Sequence, residues 1–550
     1  MTCALLIAST FEFAIAASST PTPLPQDASP AKADEGTFTI RDFFVQGNNL
    51  LMPDRVDAIL APFIGPARRF SDIEQARTAL EQAYRKLGYP TVAVVVPEQT
   101  VEYGVITLTV YEGRLKSIDV TNARFFSSAY VRDKLPSIRL GALLHEPTVL
   151  KQLDALNANP DLKVAPILKS SDDPGLLDLE LKVKDQPPVH GKLELNNRGV
   201  PTTPLLRLNA ALQYTNLFGA DHVITLQTSQ TPQDWGAVEV YSGNYAAPLW
   251  AGHQLVGYAA TAHSQSNLGV TPVGGGSDII GNSVVAGIRY LFPLRIGSGM
   301  DHQLALGLDY KHLDRSQATF PGGVNVTVTN AISYLPVSLG YTGIRLDEWG
   351  QTKLTMSGRG YVAGTIPGGD KEDFTGNPQD PLNNPGVCHS CTGTFVAFKG
   401  GIDRDHRLPH GFGLSFKSDG QWVNTPVPPT EKYFAGGMES VRGYREYEAS
   451  GDNAVRASVE LLSPPIPALS FENIRRSLRL AAFYDLAYLW VRGATPGQVD
   501  YHQLAGTGVG LRLVLSDHVR FRYDAAWALH QGPFTPEGAF FGHFSLEAVF

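Results

Sequence analysis

The C-terminal two-thirds of this chain is a succession of short alternating segments, and the last of them ends on an aromatic residue. In the final segment an apolar face alternates with a polar one: Phe544, Leu546, Ala548 and Phe550 against His543, Ser545 and Glu547. A period of two describes a strand that is apolar on one side and polar on the other. We find sixteen such segments between residues 189 and 550, with no helical pattern between them. This pattern predicts a 16-stranded antiparallel transmembrane β-barrel with a polar lumen.

The composition agrees with a barrel and excludes other classes. The chain has 54 Gly, 21 Tyr and 26 Phe, as is typical of a β protein with many turns and aromatic girdles. After the N-terminus no apolar run is long enough for a membrane-spanning helix. The formal net charge is -8 and the charges are scattered, so no nucleic-acid partner is expected. A soluble sandwich is the alternative, but it would rarely place so many charges on inner faces.

The N-terminus has the pattern of an export signal, followed by a tether. The apolar stretch within residues 1–17 ends in Ala14-Ile15-Ala16, which supplies small residues where cleavage needs them. No Lys or Arg precedes this stretch and Glu12 interrupts it, so a mis-assigned start codon that removed a charged leader is the alternative. Both interpretations place the mature protein outside the cytoplasm. Residues 18–36 are rich in Ser, Thr, Pro and Ala and predict a flexible tether.

Two small α+β modules, each with the order β-α-α-β-β, are expected between the tether and the barrel. In residues 37–113 we expect a strand over 38–45 and a first helix over 53–63. A second helix is expected to begin at the capping box Ser71-Asp72-Ile73-Glu74 and to end at Gly88, and a hairpin is expected over 91–96 and 105–111. In residues 114–186 we expect a strand over 116–121, helices near 129–135 and 147–157, and strands over 162–169 and 176–184. The barrel domain is then expected over residues 187–550.

One long connection of the predicted barrel carries a distinctive motif. Residues 423–451, between the eleventh and twelfth strands, contain Val441-Arg442-Gly443-Tyr444. Two strands later, Phe483 and Asp485 lie at inward-facing positions of an alternating segment. If the connection folds into the lumen, Arg442 can contact Asp485.

These features resemble a known family. The two modules, with Leu87-Gly88-Tyr89-Pro90 and Val110-Tyr111-Glu112-Gly113 in the first, resemble the polypeptide-transport-associated (POTRA) domains of two-partner secretion transporters, the haemolysin secretion/activation proteins. The loop motif and its Phe-x-Asp partner resemble those of the wider BamA superfamily. Two departures are Ala487, where the family usually has Gly, and a short tether, which leaves little room for a plug helix.

The resemblance implies an outer-membrane pore with POTRA domains in the periplasm. Such a pore would recognise an unfolded partner exoprotein, adhesin-like or haemolysin-like, in extended form and secrete it. Its other partners would be outer-membrane lipids and the assembly machinery that inserts it, with Phe550 as the C-terminal barrel signal. A BamA-like insertion factor is the alternative, although it usually carries more POTRA domains, and a passive porin would carry none.

The pore needs a plug, since a barrel of this size encloses an aqueous channel. We expect the loop to supply it. A pair of Arg442 with Asp485 bathed in water would be worth about 0–1 kcal/mol, so its expected role is to position the loop rather than to stabilise the barrel.

Cys388 and Cys391 allow three interpretations: a loop disulfide, a redox motif, or half of a metal site. No helix follows to lower a thiol pKa and no second Cys pair completes a zinc site, so the disulfide is favoured. The sequence also lacks His-Glu-x-x-His, Gly-x-Ser-x-Gly and phosphate-binding Gly-Lys motifs. We therefore expect no catalytic residue, no metal and no cofactor.

Overall fold

The chain forms two compact units, with the break between Pro188 and Val189. The computed structural model describes residues 37–101, 103–173, 175–263, 282–294, 299–314, 316–320, 324–377, 379–380, 384, 386–388, 390–466, 477–494 and 499–550. The predicted signal peptide (1–17) and tether (18–36) lie outside these residues.

The first module is a three-stranded sheet covered on one face by two helices. Its elements are β1 (Phe38–Ile40), β2 (Asp42–Gln46), α1 (Pro53–Leu60), a 3-10 turn (Ala61–Phe63), β3 (Gly65–Arg68), α2 (Phe70–Lys86), β4 (Val92–Val95) and β5 (Val105–Glu112). The sheet order is β2-β5-β4, with β2 parallel and β4 antiparallel to β5. The buried side of α2, which includes Leu80 and Tyr84, packs on alternate residues of β5 such as Ile106 and Leu108.

Three predictions for the first module were wrong in detail. Helix α2 begins at Phe70 with Arg69 as its N-cap, and the Asp72 carboxylate accepts a hydrogen bond from the Arg69 N–H at 2.7 Å. Ser71 therefore lies inside the first turn, because Asp72 occupies the third helical position and satisfies the cap itself. The strand predicted over 38–45 is interrupted at Arg41, since residues 38–40 pair with β3 instead of the main sheet. The helix predicted to reach Phe63 ends at Leu60 in a 3-10 turn.

Tyr84 ties the core of the first module to its first turn. Its hydroxyl donates to Asn48 Oδ1 at 2.7 Å, and Asn48 Oδ1 also accepts from the Leu51 N–H at 2.9 Å. Burial, with a smaller contribution from the nearby Glu112 carboxylate, raises the pKa of Tyr84 to about 12. The hydroxyl therefore remains a neutral donor over the whole physiological range.

The second module repeats this plan with β6 (Arg114–Thr121), α3 (Ser128–Asp133), α4 (Glu146–Asn157), β7 (Leu162–Ser170) and β8 (Leu176–Asp185). The sheet order is β6-β8-β7, and β6 is parallel to β8. Ser127 caps α3 by accepting from the Tyr130 N–H at 3.0 Å. Among the described residues, no helix combines the length and apolarity that crossing a bilayer requires.

Asp185, at the end of β8, binds the segment that leads into α3. One carboxylate oxygen accepts from the backbone N–H groups of Arg124, Phe125 and Phe126 at 2.9, 2.7 and 3.0 Å. Partial burial acts to raise the pKa of Asp185, but these backbone donors outweigh it and leave the pKa below its ordinary value.

The second unit is a closed antiparallel barrel, and the predicted count of sixteen strands is confirmed. Its wall is formed by β9 (Val189–Asn196), β10 (Arg207–Leu217), β11 (His222–Gln230), β12 (Glu239–Pro248), β13 (Gln254–His263), β14 (Ser283–Leu294), β15 (Asp301–Leu313), β18 (Ile332–Tyr334) with β19 (Val337–Asp347), β20 (Gly350–Tyr361), β21 (Phe395–Arg407), β22 (Gly413–Val423), β25 (Asn453–Leu462), β26 (Ser477–Trp490), β27 (Tyr501–Val514), β28 (Val519–Ala528) and β29 (Phe540–Val549). One of the sixteen predicted strands is divided at Leu335-Pro336, and its two parts, β18 and β19, both pair with β15.

The connections of the barrel carry the remaining elements. Between β15 and β18 lies a hairpin of β16 (Ser316–Phe320) and β17 (Val324–Thr329), and between β20 and β21 lies α5 (Lys371–Thr375). Between β22 and β25, the strands β23 (Tyr433–Ala435) and β24 (Ala449–Gly451) pair with each other. Short 3-10 turns occur at Trp250–Gly252, Pro409–Gly411 and Pro429–Glu431.

The alternation predicted for the strands separates the two faces of the wall. On β15, Leu306 and Leu308 are exposed on the outside, whereas Asp309 and Lys311 are buried on the inside. The outer face also carries cross-strand His–Tyr pairs near the short-turn end of the barrel. His253 Nδ1 lies 2.7 Å from the Tyr290 hydroxyl, and His302 Nδ1 lies 2.7 Å from that of Tyr341. Such amphipathic rings are typical of an interfacial girdle.

The barrel closes through a short seam between its first and last strands. Residues 545–549 of β29 pair with 192–196 of β9. Beyond them Asn197 continues the seam with its side chain, which accepts from the Phe544 N–H at 2.8 Å and donates to the Gly542 carbonyl at 2.6 Å. At the other end, Phe550 and Gly191 exchange backbone hydrogen bonds of 3.0 and 2.7 Å. Phe550 therefore completes the seam, with its ring on the outer surface.

Candidate functional site

The connection between β22 and β25 folds into the barrel lumen. We call residues 424–435 its proximal arm and residues 436–448 its tip. The paired strands β23 and β24 form the stem, and the tip turns back through three glycines with positive φ, at 436, 437 and 443. Side chains of the tip contact inward-facing residues of β25, β26 and β28.

Arg442 at the tip is held by Asp485 on β26. Its Nε and Nη2 donate to the two carboxylate oxygens at 2.7 and 2.9 Å, and its own backbone N–H donates to Asp485 at 3.0 Å. The guanidinium carbon lies 3.4 Å from the centroid of the Phe483 ring. A paired-oxygen contact of this kind fixes the orientation as well as the position of the arginine.

Further charged residues surround this contact. We call the wall residues Glu460, Asp485, Arg512, Arg522 and Asp524 the Arg442 pocket. Arg442 also donates to Glu460, and Glu460 accepts a second hydrogen bond from Arg512 at 2.9 Å. Asp524 accepts from Arg512 at 2.6 Å and from Arg522 at 2.8 Å. With Arg442 in place, the three wall carboxylates face three guanidinium groups, and Arg522 also donates to Glu439 of the tip at 2.6 Å.

The expectation that this pair is bathed in water was wrong. Arg442 is 3% exposed and Asp485 is 0% exposed, because the tip itself covers the pocket. The comparison with surface ion pairs therefore does not apply, and removing one partner of a buried pair costs about 3–5 kcal/mol.

The two motif residues that follow Arg442 seat the tip in the wall. Gly443 has φ 97, and a Cβ there would lie 2.8 Å from the backbone N of Ala528 and from the carbonyl carbon of Trp527. Glycine is therefore required both by conformation and by the close approach of the tip to β28. Tyr444 is fully buried, and its hydroxyl donates to the His530 carbonyl at 2.6 Å.

An apolar cluster packs around the motif. Its buried members come from the stem and tip and from β25 to β28: Ala435, Val441, Tyr444, Ala449, Ala454, Ala487, Leu489, Leu504 and Ala528. Ala487, the departure from the family pattern, is accommodated as a fully buried member of this cluster. The tip is thus held by packing as well as by charge.

Further contacts join the far side of the tip to the loop after β9. Arg198 Nε donates to Glu446 at 2.8 Å. Arg445 Nη2 donates to the Thr203 carbonyl at 2.8 Å. The tip therefore extends from the wall of β25 to β28 to the loop that follows the first strand.

Cys388 and Cys391 lie apart from this pocket, in the long connection between β20 and β21. Cys388 and Cys391 form a disulfide, and Cys391 belongs to an apolar cluster with Tyr334, Phe374 and Val427. Because Val427 is part of the proximal arm, this outer connection packs against the base of the loop.

The first module presents an unpaired strand edge. In the order β2-β5-β4, one side of β4 has no partner strand among the described residues, and α2 runs beside it. An apolar groove lies between them, lined by Phe70, Ile73, Val94, Val96 and Val101. Phe70 is 54% exposed and Val101 is 43% exposed, so the groove is open to a ligand.

Comparison with known proteins agrees with this architecture. Residues 38–113 match the POTRA domain, ShlB-type, and residues 394–543 match the Omp85 superfamily domain. The chain therefore combines a POTRA domain of the ShlB type with an Omp85 superfamily domain. The barrel spans the outer membrane, and the POTRA domains lie in the periplasm.

Individual relatives are distant. The outer membrane transporter CdiB of Dickeya dadantii is 26% identical over 195 residues. This match covers 35% of this chain and 34% of CdiB, so the chain spans about a third of the length of that relative. The heme/hemopexin transporter protein HuxB of Haemophilus influenzae is 20% identical over 453 residues, covering 80% of this chain and 74% of that protein. The solved structure of CdiB from Escherichia coli is 18% identical, covers 96% of this chain and 93% of that chain, and superimposes with a TM-score of 0.59.

Some residues of the site could not be identified from the superfamily motif alone. The alternation of β28 indicates that Asp524 and Arg522 face the lumen, but it does not identify them as neighbours of Arg442. Glu460 and His543 were missed, although both lie at inward positions of strands near β26. His543 Nε2 accepts from the Gly443 N–H at 3.1 Å. Charged residues at inward positions of β25 and β28 are the signal that could have located the pocket.

Proposed function

We propose that this protein is an outer-membrane translocation pore that secretes one partner exoprotein. The exoprotein would reach the POTRA domains unfolded, bind there in extended form and thread the barrel while the loop moves. Relatives named as transporters support this proposal, as do the ShlB-type POTRA domain and the closed barrel. The observation that carries it is the loop, which is held inside the lumen by contacts that can be released.

The edge of β4 is the proposed first binding surface. An unpaired strand beside a helix can accept an extended peptide as an added strand, and backbone hydrogen bonds then give affinity with little demand on sequence. The apolar groove next to β4 would take alternate side chains of that peptide. This mode suits a partner that is still unfolded.

The width of the pore also favours an extended chain. A 16-stranded barrel encloses an aqueous channel that is too narrow for a folded domain. Folding of the partner at the cell surface would then supply the direction of transport, because an unfolded chain that has folded outside cannot return.

An insertion factor is the second candidate, since it shares the barrel and the loop motif. Two modules of the POTRA plan are described here, and the first matches the ShlB-type domain, which favours secretion. A dedicated transporter acts on one partner, whereas an insertion factor acts on many barrel proteins. The protein content of cells with and without this gene therefore distinguishes the two functions.

The decisive experiment compares surface and outer-membrane proteomes with and without this gene. Loss of one large protein from the surface and medium, restored by complementation, supports a dedicated transporter. A general fall in barrel proteins of the outer membrane would refute secretion as the function and support insertion.

A matched pair of variants tests the groove. Phe70→Glu with Val101→Glu places two charges in an apolar groove without touching the buried core, so export of the partner should fall at least about tenfold. The control is Tyr103→Glu, because Tyr103 is 86% exposed and does not line the groove. Quantitative blotting of partner in the medium measures the effect. Equal export in both variants would exclude the groove as the binding surface.

A further inference from the structure

Glu431 is a buried carboxylate on the proximal arm of the loop, well before the superfamily motif. It closes the 3-10 turn Pro429–Glu431 and is 1% exposed. A buried charge is expensive unless cations and hydrogen-bond donors surround it. Its partners therefore show where this arm is attached.

Three wall residues hold the Glu431 carboxylate, and we call them the Glu431 pocket: Lys311 on β15, Tyr334 on β18 and Arg359 on β20. Lys311 Nζ donates to Oε1 at 2.7 Å, Arg359 Nη1 donates to Oε2 at 2.8 Å, and the Tyr334 hydroxyl donates to Oε1 at 2.9 Å. Lys311 is fully buried. Both carboxylate oxygens are thus engaged by a cation.

The backbone of the arm is held at the same place. Gln421 on β22 donates through Nε2 to the Glu431 carbonyl at 2.8 Å and to the Asp452 carbonyl at 2.9 Å. Beside it, the Thr430 and Tyr334 hydroxyls lie 2.5 Å apart. These contacts fix the arm next to the wall before the chain enters the stem.

The Glu431 pocket and the Arg442 pocket are on different parts of the wall. The first is formed by β15, β18 and β20 and the second by β25 to β28, with β21 and β22 between them. The two sets of wall residues have no member in common. The proximal arm and Arg442 of the tip are therefore attached to separate parts of the wall, and the chain between them lies across part of the lumen.

We propose that Glu431 is a second anchor of the pore loop, a positioning residue that holds the proximal arm against β15 to β20 independently of Arg442. The arm closes part of the pore only while the carboxylate occupies its pocket. Without the Glu431 carboxylate, Lys311 and Arg359 face each other as unpaired cations, and the arm loses its attachment to the wall. The consequence for secretion rests on the function proposed above, whereas closure of the pore to ions does not.

The test uses the full-length protein with Glu431→Gln, reconstituted in planar lipid bilayers in potassium chloride. The fraction of time in the conducting state should rise at least about tenfold, since a buried ion pair has been broken. Hydrogen exchange should quicken over residues 427–435 and stay slow over 441–444. Glu537→Gln, a change of the same charge at an exposed site, is the control and should behave as wild type.

A second variant keeps the test decisive if Glu431→Gln does not insert. Combining it with Lys311→Met removes one of the two cations that the loss of the carboxylate leaves unpaired, so the barrel should insert and still conduct more than wild type. Wild-type conductance in this double variant would overturn the proposal. So would joint loss of protection over 427–435 and 441–444 in Glu431→Gln, because the two anchors would then act as one.

A failure of the secretion proposal would give a different result. Conductance and exchange would change as expected in Glu431→Gln, while deletion of the gene would leave every surface protein in place. The anchor and the transport function can therefore be refuted separately.

Discussion

Replacing Arg442 with alanine should release the tip of the loop while leaving the barrel intact. The change removes the paired contact with Asp485 and the contact with Glu460, both in a buried pocket. The strand ladder from β25 to β28 does not involve the Arg442 side chain. Loop docking and barrel stability should therefore separate in this variant.

The structure sets the size of the effect. Breaking a buried ion pair costs about 3–5 kcal/mol. Two contacts that survive the substitution place this case at the lower end: Ser458 Oγ donates to Asp485 at 2.6 Å, and Arg512 donates to Glu460 at 2.9 Å. A loss of about 3 kcal/mol shifts the docked population of the tip by roughly 100-fold.

Three measurements on Arg442→Ala report on separate parts of this reasoning. Hydrogen exchange over residues 436–448 should quicken, heat resistance of the barrel on gels should match wild type, and export of the partner should fall. Arg442→Lys keeps the charge but cannot contact both oxygens of Asp485, so it should lie between alanine and wild type. Arg492→Ala, at an exposed position, is the control.

Normal export and normal exchange protection in Arg442→Ala would refute the assignment of Arg442 as an anchor. Loss of the barrel itself would refute the separation of docking from stability.

Two further predictions concern other parts of the chain. Gly443→Ala should displace the tip at least as strongly as Arg442→Ala, because the added Cβ would clash with the backbone of β28 and the residue would have to keep a positive φ. Hydrogen exchange over residues 436–448 should therefore become rapid. Protection equal to wild type would contradict the close approach of Gly443 to β28. In the second module, the pKa of Asp185 is lowered in the folded state, so the stability that Asp185 contributes is present above its ordinary pKa near 4 and is lost as the pH falls through the lowered value. Asp185→Asn should lower the free energy of unfolding by about 1 kcal/mol at pH 7, after allowance for solvent screening. It should also make amide exchange at Phe125 and Phe126 less sensitive to acid. An exchange rate equal to wild type would contradict this role of Asp185.

The barrel could be predicted because strand alternation is a local property with a large signal. Each of the sixteen segments shows its own inner and outer face, as with Leu308 and Asp309 on β15, so no long-range information was needed. The strand break at Pro336 was not predicted, because both halves pair with the same neighbour and the alternating pattern continues into each.

Other features depend on tertiary contacts that leave no periodic trace. Glu431 lies in an irregular segment, and its partners come from three strands at distant positions in the sequence. The contact of Arg442 with Asp485 could be anticipated from a family motif, but its burial could not, since the tip that excludes water is itself irregular. The helix start at Phe70 was misplaced because the Ser71-Asp72-Ile73-Glu74 pattern indicates a cap at Ser71. In the structure Asp72 instead accepts from the Arg69 N–H from the third helical position.

The two loop pockets also determine the electric field that an emptied lumen would contain. With the loop docked, Arg442 and the Glu431 carboxylate complement two separate parts of the wall. Once the loop leaves, the Arg442 pocket retains three carboxylates against two guanidinium groups, and the Glu431 pocket retains two cations without a carboxylate. An open pore would therefore have regions of opposite sign on its wall, and a chain in transit would experience a potential directed across its path as well as along it. Segments with mixed charge could orient in that field, whereas a uniformly charged segment would be drawn towards one part of the wall.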